Sequence, residues 1–160
     1  MFPPFLKRFA ALGFCLALAA CGAPPPRETP APPVMEEQSL YRSLSRKGAE
    51  VDAQAARDMI SQYRRNHGLG ELTLDAGLEA EARGRAEAMA RRGASPTDGG
   101  ARIENLSAGY DTLAEVFSGW RQSPAHNARM LSPRARRMGI AAIQAPSSKF
   151  RVFWALELGE

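Results

Sequence analysis

The stretch TLAEVFSGWRQSPAHNARML, residues 112–131, carries two helix signals in immediate succession. Thr112 is a suitable N-cap for the first helix. The apolar residues of that helix recur at helical spacing: Leu113, Val116, Phe117 and Trp120. Ser123 and Pro124 then start a short second helix, because serine is a good N-cap and proline fits the first helical turn. The stretch therefore predicts two consecutive helices, the first with a large aromatic face to bury.

Two more helices are predicted upstream of this stretch. Asp52 caps a helix that runs to His67 and has these apolar residues at helical spacing: Ala55, Ala56, Met59, Ile60 and Tyr63. Asp75 or Thr73 opens the other helix, which ends near Gly93. Its apolar stripe is rich in alanine: Leu78, Ala82, Ala86, Met89 and Ala90. So many small side chains predict that this helix packs closely on its neighbour.

The hydrophobic period changes from 3.6 to 2 in the last part of the chain. Apolar residues alternate over residues 138–143 and 152–158, on either side of a turn at Pro146-Ser147-Ser148. These two strands predict an antiparallel hairpin. The polar stretch from Ala94 to Gly109 is predicted to be a loop. Helices and strands in separate blocks indicate an α+β domain, and no glycine-rich phosphate motif is present.

The amino terminus has the features of a bacterial export signal. Lys7 and Arg8 precede the apolar run Phe9–Ala20, which is too short to cross a bilayer core of about 30 Å as a helix. The residues LAAC, 18–21, resemble a lipobox, after which cleavage leaves an acylated cysteine as the first mature residue. We therefore expect Cys21 to carry acyl chains such as palmitate, which anchor the protein in a membrane. The alternative is an ordinary secretory signal that leaves Cys21 as a free thiol.

A tether is predicted between this anchor and the folded domain. Half of the chain's 12 prolines lie between Ala23 and Pro33, and proline-rich segments are stiff and extended. The stretch from Val34 to Gly48 is mixed and polar, with at most one or two helical turns. The predicted organisation is a signal peptide over residues 1–20, a lipidated cysteine and tether over 21–48, and one domain over 49–160.

Charge and cysteine content exclude several classes of function. The formal charge of +4 falls to +2 once Lys7 and Arg8 are removed, which is too weak to indicate a nucleic-acid partner. Both cysteines, Cys15 and Cys21, lie at the amino terminus, so the domain has neither a disulfide framework nor a thiolate metal site.

An ordered set of residues resembles the CAP superfamily, the group of cysteine-rich secretory proteins, antigen five and plant pathogenesis-related proteins, also called the SCP domain. Its most specific piece is Trp120-x-x-Ser-Pro-x-His126-x-x-x-Met-Leu131, with Glu104-Asn105 upstream. Further matches cover residues 52–159: Tyr63-Arg64, Gly68-Leu69, Leu72, Leu74-Asp75, Leu78, Ala82, Met89-Ala90, Leu106, Gly139 and Phe153-Trp154. The resemblance implies a three-layer α-β-α sandwich with a central antiparallel sheet.

The resemblance also implies a cleft that two histidines and two glutamates line. Glu104 and Glu115 match the glutamates and His126 matches the second histidine, whereas the shortened loop over residues 94–100 lacks the first histidine. Ile103 also departs from the glycine that bacterial members usually have there. One imidazole and two carboxylates could still bind a divalent metal such as zinc weakly, with His126 as a ligand.

Each of these residues also has a structural interpretation. Glu115 stands three residues after Thr112, the spacing of a capping box, and Glu104 could pair with an arginine. His126 could be a structural polar residue of its short helix. Ser123 is better explained as a helix cap than as a nucleophile. His67 suits a helix C-terminus, and the basic run Arg134, Arg136 and Arg137 suits a solvated face.

Two classes of function follow. The first is a non-catalytic binding module of the bacterial cell envelope, which presents a cleft to a lipid-like, glycan or protein ligand. The alternative is a metal-assisted hydrolase that uses Glu104, Glu115 and His126. The missing histidine and the lack of a supported nucleophile favour the binding module. Gly22 resembles the pattern that permits transfer to an outer membrane, so we expect a lipid-anchored protein that faces the periplasm.

Overall fold

A four-stranded sheet forms the centre of the computed structural model, which describes residues 34–94 and 102–160. The strands are β1 (Thr73–Leu74), β2 (Ile103–Ala108), β3 (Arg137–Ala145) and β4 (Arg151–Gly159), in the order β1-β3-β4-β2. The pair β3–β4 is antiparallel, as predicted, and β2 also pairs with β4 in antiparallel orientation, whereas the two residues of β1 pair with β3 in parallel. The predictions for residues 1–33, including Cys21 and the tether, lie outside the described residues.

Helices cover both faces of the sheet. They are α1 (Val34–Tyr41), α2 (Ala53–Arg65), α3 (Ala76–Arg92), α4 (Leu113–Gln122) and α5 (Pro124–Met130). Helix α3 packs on one face of β3 and β4, while α2, α4 and α5 lie on the other face, and α1 packs on α2 and α4. The predicted three-layer α-β-α sandwich is therefore confirmed. No helix within residues 34–94 and 102–160 has the length and hydrophobicity that a membrane crossing requires.

The predicted caps set the helix boundaries. Asp52 accepts a hydrogen bond from the backbone N–H of Ala55 at 3.0 Å, and Asp75 accepts one from Leu78 at 2.9 Å. Thr112 and Ser123 cap α4 and α5 in the same way, and Gly93 ends α3 with a φ of +59°. The four predicted helices are thus confirmed with their starts, because each cap is a local interaction that the sequence encodes directly.

Close packing of α3 on β3 depends on Gly139. A Cβ atom at this position would lie 2.1 Å from the backbone carbon of Leu78 and 2.1 Å from the backbone nitrogen of Glu79. Only glycine therefore permits this approach of helix to strand. The alanines Ala82 and Ala86 continue the contact with no exposed area, as the alanine-rich stripe predicts.

Two predictions about the chain's organisation are wrong. The stretch 94–109 is not all loop, because residues 103–108 form β2 and pair with β4. The folded domain also starts before residue 49: Leu44 is 3% exposed within the core, and its N–H donates to the carbonyl of Asp111 at 2.8 Å. Both segments look polar in sequence, and long-range partners incorporate them into the fold.

Candidate functional site

Two buried glutamates face each other across the edge of the sheet. Glu104 on β2 is the register partner of Glu157 on β4, and each side chain is only 3% exposed. Both point toward α3, whose Arg85 places its Nε 3.2 Å from Oε2 of Glu104 and 3.7 Å from Oε1 of Glu157. One guanidinium thus serves two buried carboxylates.

A second arginine lies at the outer side of this pair. Nη1 of Arg102 is 3.9 Å from Oε2 of Glu157, and the same nitrogen pairs closely with Glu81 of α3. Three of the four oxygens of the glutamate pair, both of Glu104 and Oε1 of Glu157, have no hydrogen-bond partner among the described residues. Burial, together with the neighbouring Glu104, raises the pKa of Glu157 to about 7 against the opposing charges of Arg102 and Arg85.

Asn105 points the other way and ties β2 to α5. Successive side chains of a strand alternate between its two faces, so Glu104 faces α3 while Asn105 faces the layer that contains α5. The Asn105 amide donates to the backbone carbonyl of His126 at 3.1 Å, and the N–H of His126 donates to Oγ of Ser123 at 3.5 Å. The central motif therefore connects strand and helix through backbone groups of His126.

Glu115 does not join this site. Its side chain is exposed and accepts hydrogen bonds from the backbone N–H groups of Asp111, at 2.8 Å, and Thr112, at 3.1 Å. This is the capping-box interpretation, and it is confirmed. The prediction that Glu115 lines a cleft with Glu104 is wrong, because the start of α4 requires its carboxylate.

The remaining candidates of the sequence analysis have structural roles. His67 lies against the ring of Tyr63, 4.5 Å between centroids, and its Nδ1 is 2.9 Å from the carbonyl oxygen of Tyr63. Arg134 pairs with Glu160 at 3.2 Å, and Arg137 donates to Asp75 at 2.6 Å. The basic run is therefore an exposed face in which arginines bind neighbouring groups of the same chain.

A groove lies between α2 and α4 on the opposite side of the sheet from the glutamate pair. It is open to solvent and has a volume of about 810 Å³. The residues that line it are Leu40, Ala55, Asp58, Met59, Gln62, Tyr63, Arg65, Asn66, Phe117 and Arg121. Tyr63 and Phe117 form an edge-to-face pair with ring centroids 5.5 Å apart, and the Tyr63 hydroxyl donates to Asn127 at 2.9 Å.

Arg121 supplies the unpaired positive charge among the described residues that line this groove. Its guanidinium carbon lies 5.5 Å from the ring centre of Tyr63 and 5.6 Å from that of Phe117. Within the described part of the chain no carboxylate pairs with Arg121, whereas Arg65 pairs with Glu71, and Asp58 with Arg57 at 2.8 Å. The groove thus combines an apolar floor with one cation available to a ligand.

Comparison with known protein families identifies the chain's family. The sequence profile of the cysteine-rich secretory protein family, CAP, matches residues 57–158, which is more than half of the chain. The chain belongs to the CAP family. No curated protein sequence matches it significantly.

Solved structures share the fold of this CAP domain. An outer surface protein of Borrelia burgdorferi is 17% identical with a TM-score of 0.57, over 71% of this chain and 98% of that one. An extracellular SCP-domain protein of Bacillus anthracis is 15% identical with a TM-score of 0.54, over 68% of this chain and 40% of that one. A cysteine-rich secretory protein of Staphylococcus aureus has a TM-score of 0.50, also at 15% identity, and the chain spans 38% of its length. These likenesses concern the fold.

The predicted metal ligands do not come together in this CAP domain. Within residues 34–94 and 102–160, no three side chains among His, Cys, Asp and Glu lie close enough to hold a metal ion. Glu115 caps α4, and Glu104 lies beside the guanidinium of Arg85, whose positive charge opposes a cation. The described residues thus do not fit the divalent metal that the resemblance implies.

Sequence analysis of the CAP domain missed Glu157 and Arg85. The alternating pattern of the last strand places Glu157 on the same face as Arg151, which indicates solvent, yet β4 is buried from Val152 to Leu158. The available signal was a single charge inside the apolar run VFWALEL, residues 152–158. Such a charge requires a partner. That partner, Arg85, comes from α3 and can be identified only in three dimensions.

Proposed function

We propose that this protein is a binding module of the bacterial cell envelope, which holds an amphipathic ligand with an anionic head in the α2–α4 groove. The observation that carries the proposal is the guanidinium of Arg121 above the apolar pair Tyr63 and Phe117. The ligand's apolar body would displace water from Met59 and Phe117. Its head would pair with Arg121.

The charges around the groove support an anionic single-chain lipid over a glycan or a peptide. Asp58 and Arg65 are paired with other side chains of the domain, which leaves Arg121 as the available charge among the described lining residues. A volume of about 810 Å³ suits one acyl chain. A glycan would need several polar groups at fixed positions. The lining amides of Gln62 and Asn66 hydrogen-bond to each other at 2.9 Å, and Met59, Tyr63 and Phe117 present aromatic and aliphatic surface.

Binding of dodecanoate tests the ligand class. We expect calorimetric titration below the micelle concentration to show dodecanoate binding more tightly than 1-dodecanol, because only the carboxylate pairs with Arg121. Arg121→Gln should weaken dodecanoate about tenfold, since a charge-assisted hydrogen bond contributes about 1.5 kcal/mol or more. The same substitution should leave dodecanol unchanged.

Two further variants are the controls for this titration. Arg91→Gln removes an exposed arginine of α3, on the far side of the sheet, and should leave dodecanoate affinity as it is. Met59→Glu places a charge in the groove and should abolish binding of both probes. Equal binding of dodecanoate by the wild type and by Met59→Glu would place the ligand elsewhere.

We also propose that acylated Cys21 anchors the protein in the outer membrane, with the domain in the periplasm. The support is LAAC at residues 18–21 after a short apolar run, followed by a proline-rich segment that would hold the domain away from the lipid. A domain kept near a bilayer encounters amphipathic ligands readily. Anchoring and the groove therefore support one function.

The anchor is tested by the intact mass of the protein from its native host. We expect a mature chain that begins at Cys21 and exceeds the polypeptide mass by a diacylglyceryl group and its further acyl chain. Cys21→Ser should stay at the uncleaved mass, because the lipidation pathway acts on the thiol. An unmodified Cys21 thiol in the soluble fraction would refute the proposal.

The geometry favours a protein that binds its ligand without catalysing a reaction. A hydrolase that uses Glu104, Glu115 and His126 would need their side chains to converge on one substrate atom. Glu115 is engaged at the exposed start of α4, and Glu104 is buried under α3. We therefore assign no catalytic role to these three residues.

A further inference from the structure

The cluster under α3 holds one carboxylate more than it has guanidinium groups. Glu81, Glu104 and Glu157 face Arg85 and Arg102. Arg102 is shared between Glu81 and Glu157, and Arg85, with 44% of its side chain exposed, lies beside both Glu104 and Glu157, which are each 3% exposed. Two guanidinium groups therefore face three carboxylates. Two ionised carboxylates at adjacent buried positions repel each other strongly.

A single proton would resolve this imbalance. If Glu157 is protonated, its hydroxyl can donate to Glu104, and the cluster then has two negative and two positive charges. The hydrogen bond would also give a partner to oxygens that otherwise have none in the described structure. We infer that Glu104 and Glu157 share one proton and act as a pH-sensitive latch between the sheet and helix α3.

The elements packed around the glutamate pair supply few charges that could replace this proton. Helix α3 contributes Glu81 and Arg85, and the segment before β2 contributes Arg102. Strand β3 places Gly139 opposite Glu157, and its Arg137, on the same face, donates to Asp75 at 2.6 Å. Arg134 and Glu160, at the outer rim of this region, pair with each other at 3.2 Å. Among the described residues, no further cation reaches the glutamate pair.

The direction of the pH effect follows from proton linkage. Burial, together with Glu104, raises the pKa of Glu157 from its ordinary 4.5 to about 7. Between these two values the folded chain retains a proton that the unfolded chain has released. The contribution to stability is therefore fully present below pH 4.5, declines as the pH rises, and is lost above about pH 7. The contact between the sheet and helix α3 is therefore more stable at acidic pH than at alkaline pH.

Thermal unfolding of the full chain between pH 5 and pH 8.5 tests the latch. We expect the wild-type Tm to fall by about 10 °C across this range relative to that of Glu157→Gln, whose amide does not titrate. All other titratable groups are the same in both proteins, so the difference between them isolates Glu157. Glu87→Gln, an exposed carboxylate of α3 that pairs with Arg91, is the matched control and should follow the wild type.

A second measurement needs no variant and covers the case in which Glu157→Gln does not fold. Carbon-13 NMR titration of the glutamate side-chain carboxyl groups should show one resonance with a midpoint near pH 7, and added zinc chloride should not move it. Parallel pH dependences of wild type and Glu157→Gln would overturn the latch. So would glutamate midpoints that all lie near 4.5, or a zinc-induced shift, which would indicate a metal site instead.

Discussion

Arg64→Ala is expected to lower the free energy of unfolding by about 5 kcal/mol or more, enough to leave much of the protein unfolded. Arg64 has no exposed area. Its Nε donates to the carbonyl of Gly70 at 2.9 Å, and Nη2 donates to that of Ala135 at 3.0 Å. Its Nη1 donates to the carbonyls of Met130 and Ser132, at 2.8 and 2.9 Å.

Loss of this side chain would remove a charged donor from four carbonyl groups, two of them in fully buried contacts. The carbonyls of Ser132 and Ala135 would keep a second donor, the N–H of Ala135 and Nη1 of Arg136. Each hydrogen bond from a charged donor contributes about 1.5 to 3 kcal/mol. The guanidinium also joins three parts of the chain: α2, the loop before β1, and the stretch from the end of α5 to β3. No other side chain at this position could replace a planar donor with five N–H groups.

Urea unfolding followed by circular dichroism measures this effect, with Arg65→Ala as the matched control. Arg65 is the next residue of α2, but its side chain is 42% exposed and pairs with Glu71, so its removal should cost less than about 1 kcal/mol. Arg64→Lys should fall between the two, because an ammonium group is a point donor. If Arg64→Ala and Arg65→Ala unfolded at the same urea concentration, the carbonyl cluster would not stabilise the fold.

Trp120→Ala is expected to cost about 3 to 5 kcal/mol, the usual range for truncation of a large buried aromatic residue. Trp120 is 0% exposed and packs between α4 and the sheet. Its Nε1–H also donates to Oγ of Ser107 on β2 at 2.8 Å. The substitution would therefore leave a large cavity and remove the donor to a buried hydroxyl.

The control for this variant is Tyr41→Ala, since Tyr41 is aromatic but 65% exposed. Its loss should change stability by less than about 0.5 kcal/mol. Trp120→Phe should cost less than Trp120→Ala, because a ring still fills most of the cavity. A Tm for Trp120→Ala within one or two degrees of the wild type would contradict the assignment of Trp120 to the core.

Local features of the chain were predictable where a few adjacent residues contain the whole cause. Asp52, Asp75, Thr112 and Ser123 cap helices through atoms three residues away, so sequence was enough to locate those starts. The hairpin of β3 and β4 was predictable because its apolar residues recur with a period of two. The sequence left two roles open for Glu115, a capping box or a cleft. The capping box forms at the start of its own helix, so local sequence was enough to propose it.

Strand β2 was missed because its polar residues look like a loop. Each of them contacts a group that is distant in sequence. Glu104 pairs with Arg85, Asn105 donates to the carbonyl of His126, and Ser107 accepts from the indole of Trp120. A polar residue can be buried only when such a partner is present, and chain separation of 13 to 21 residues hides the partner from local analysis.

The sequence by itself determined the helices, the hairpin and membership of the CAP family, because those depend on local spacing and on an ordered motif. Tertiary structure alone decided what Glu104 does. Alternation along β2 sends its carboxylate toward α3, and register with β4 places it opposite Glu157 rather than beside Glu115. Charges act through space and depend on burial, so the chemistry of this carboxylate is set by neighbours that only the folded chain brings together.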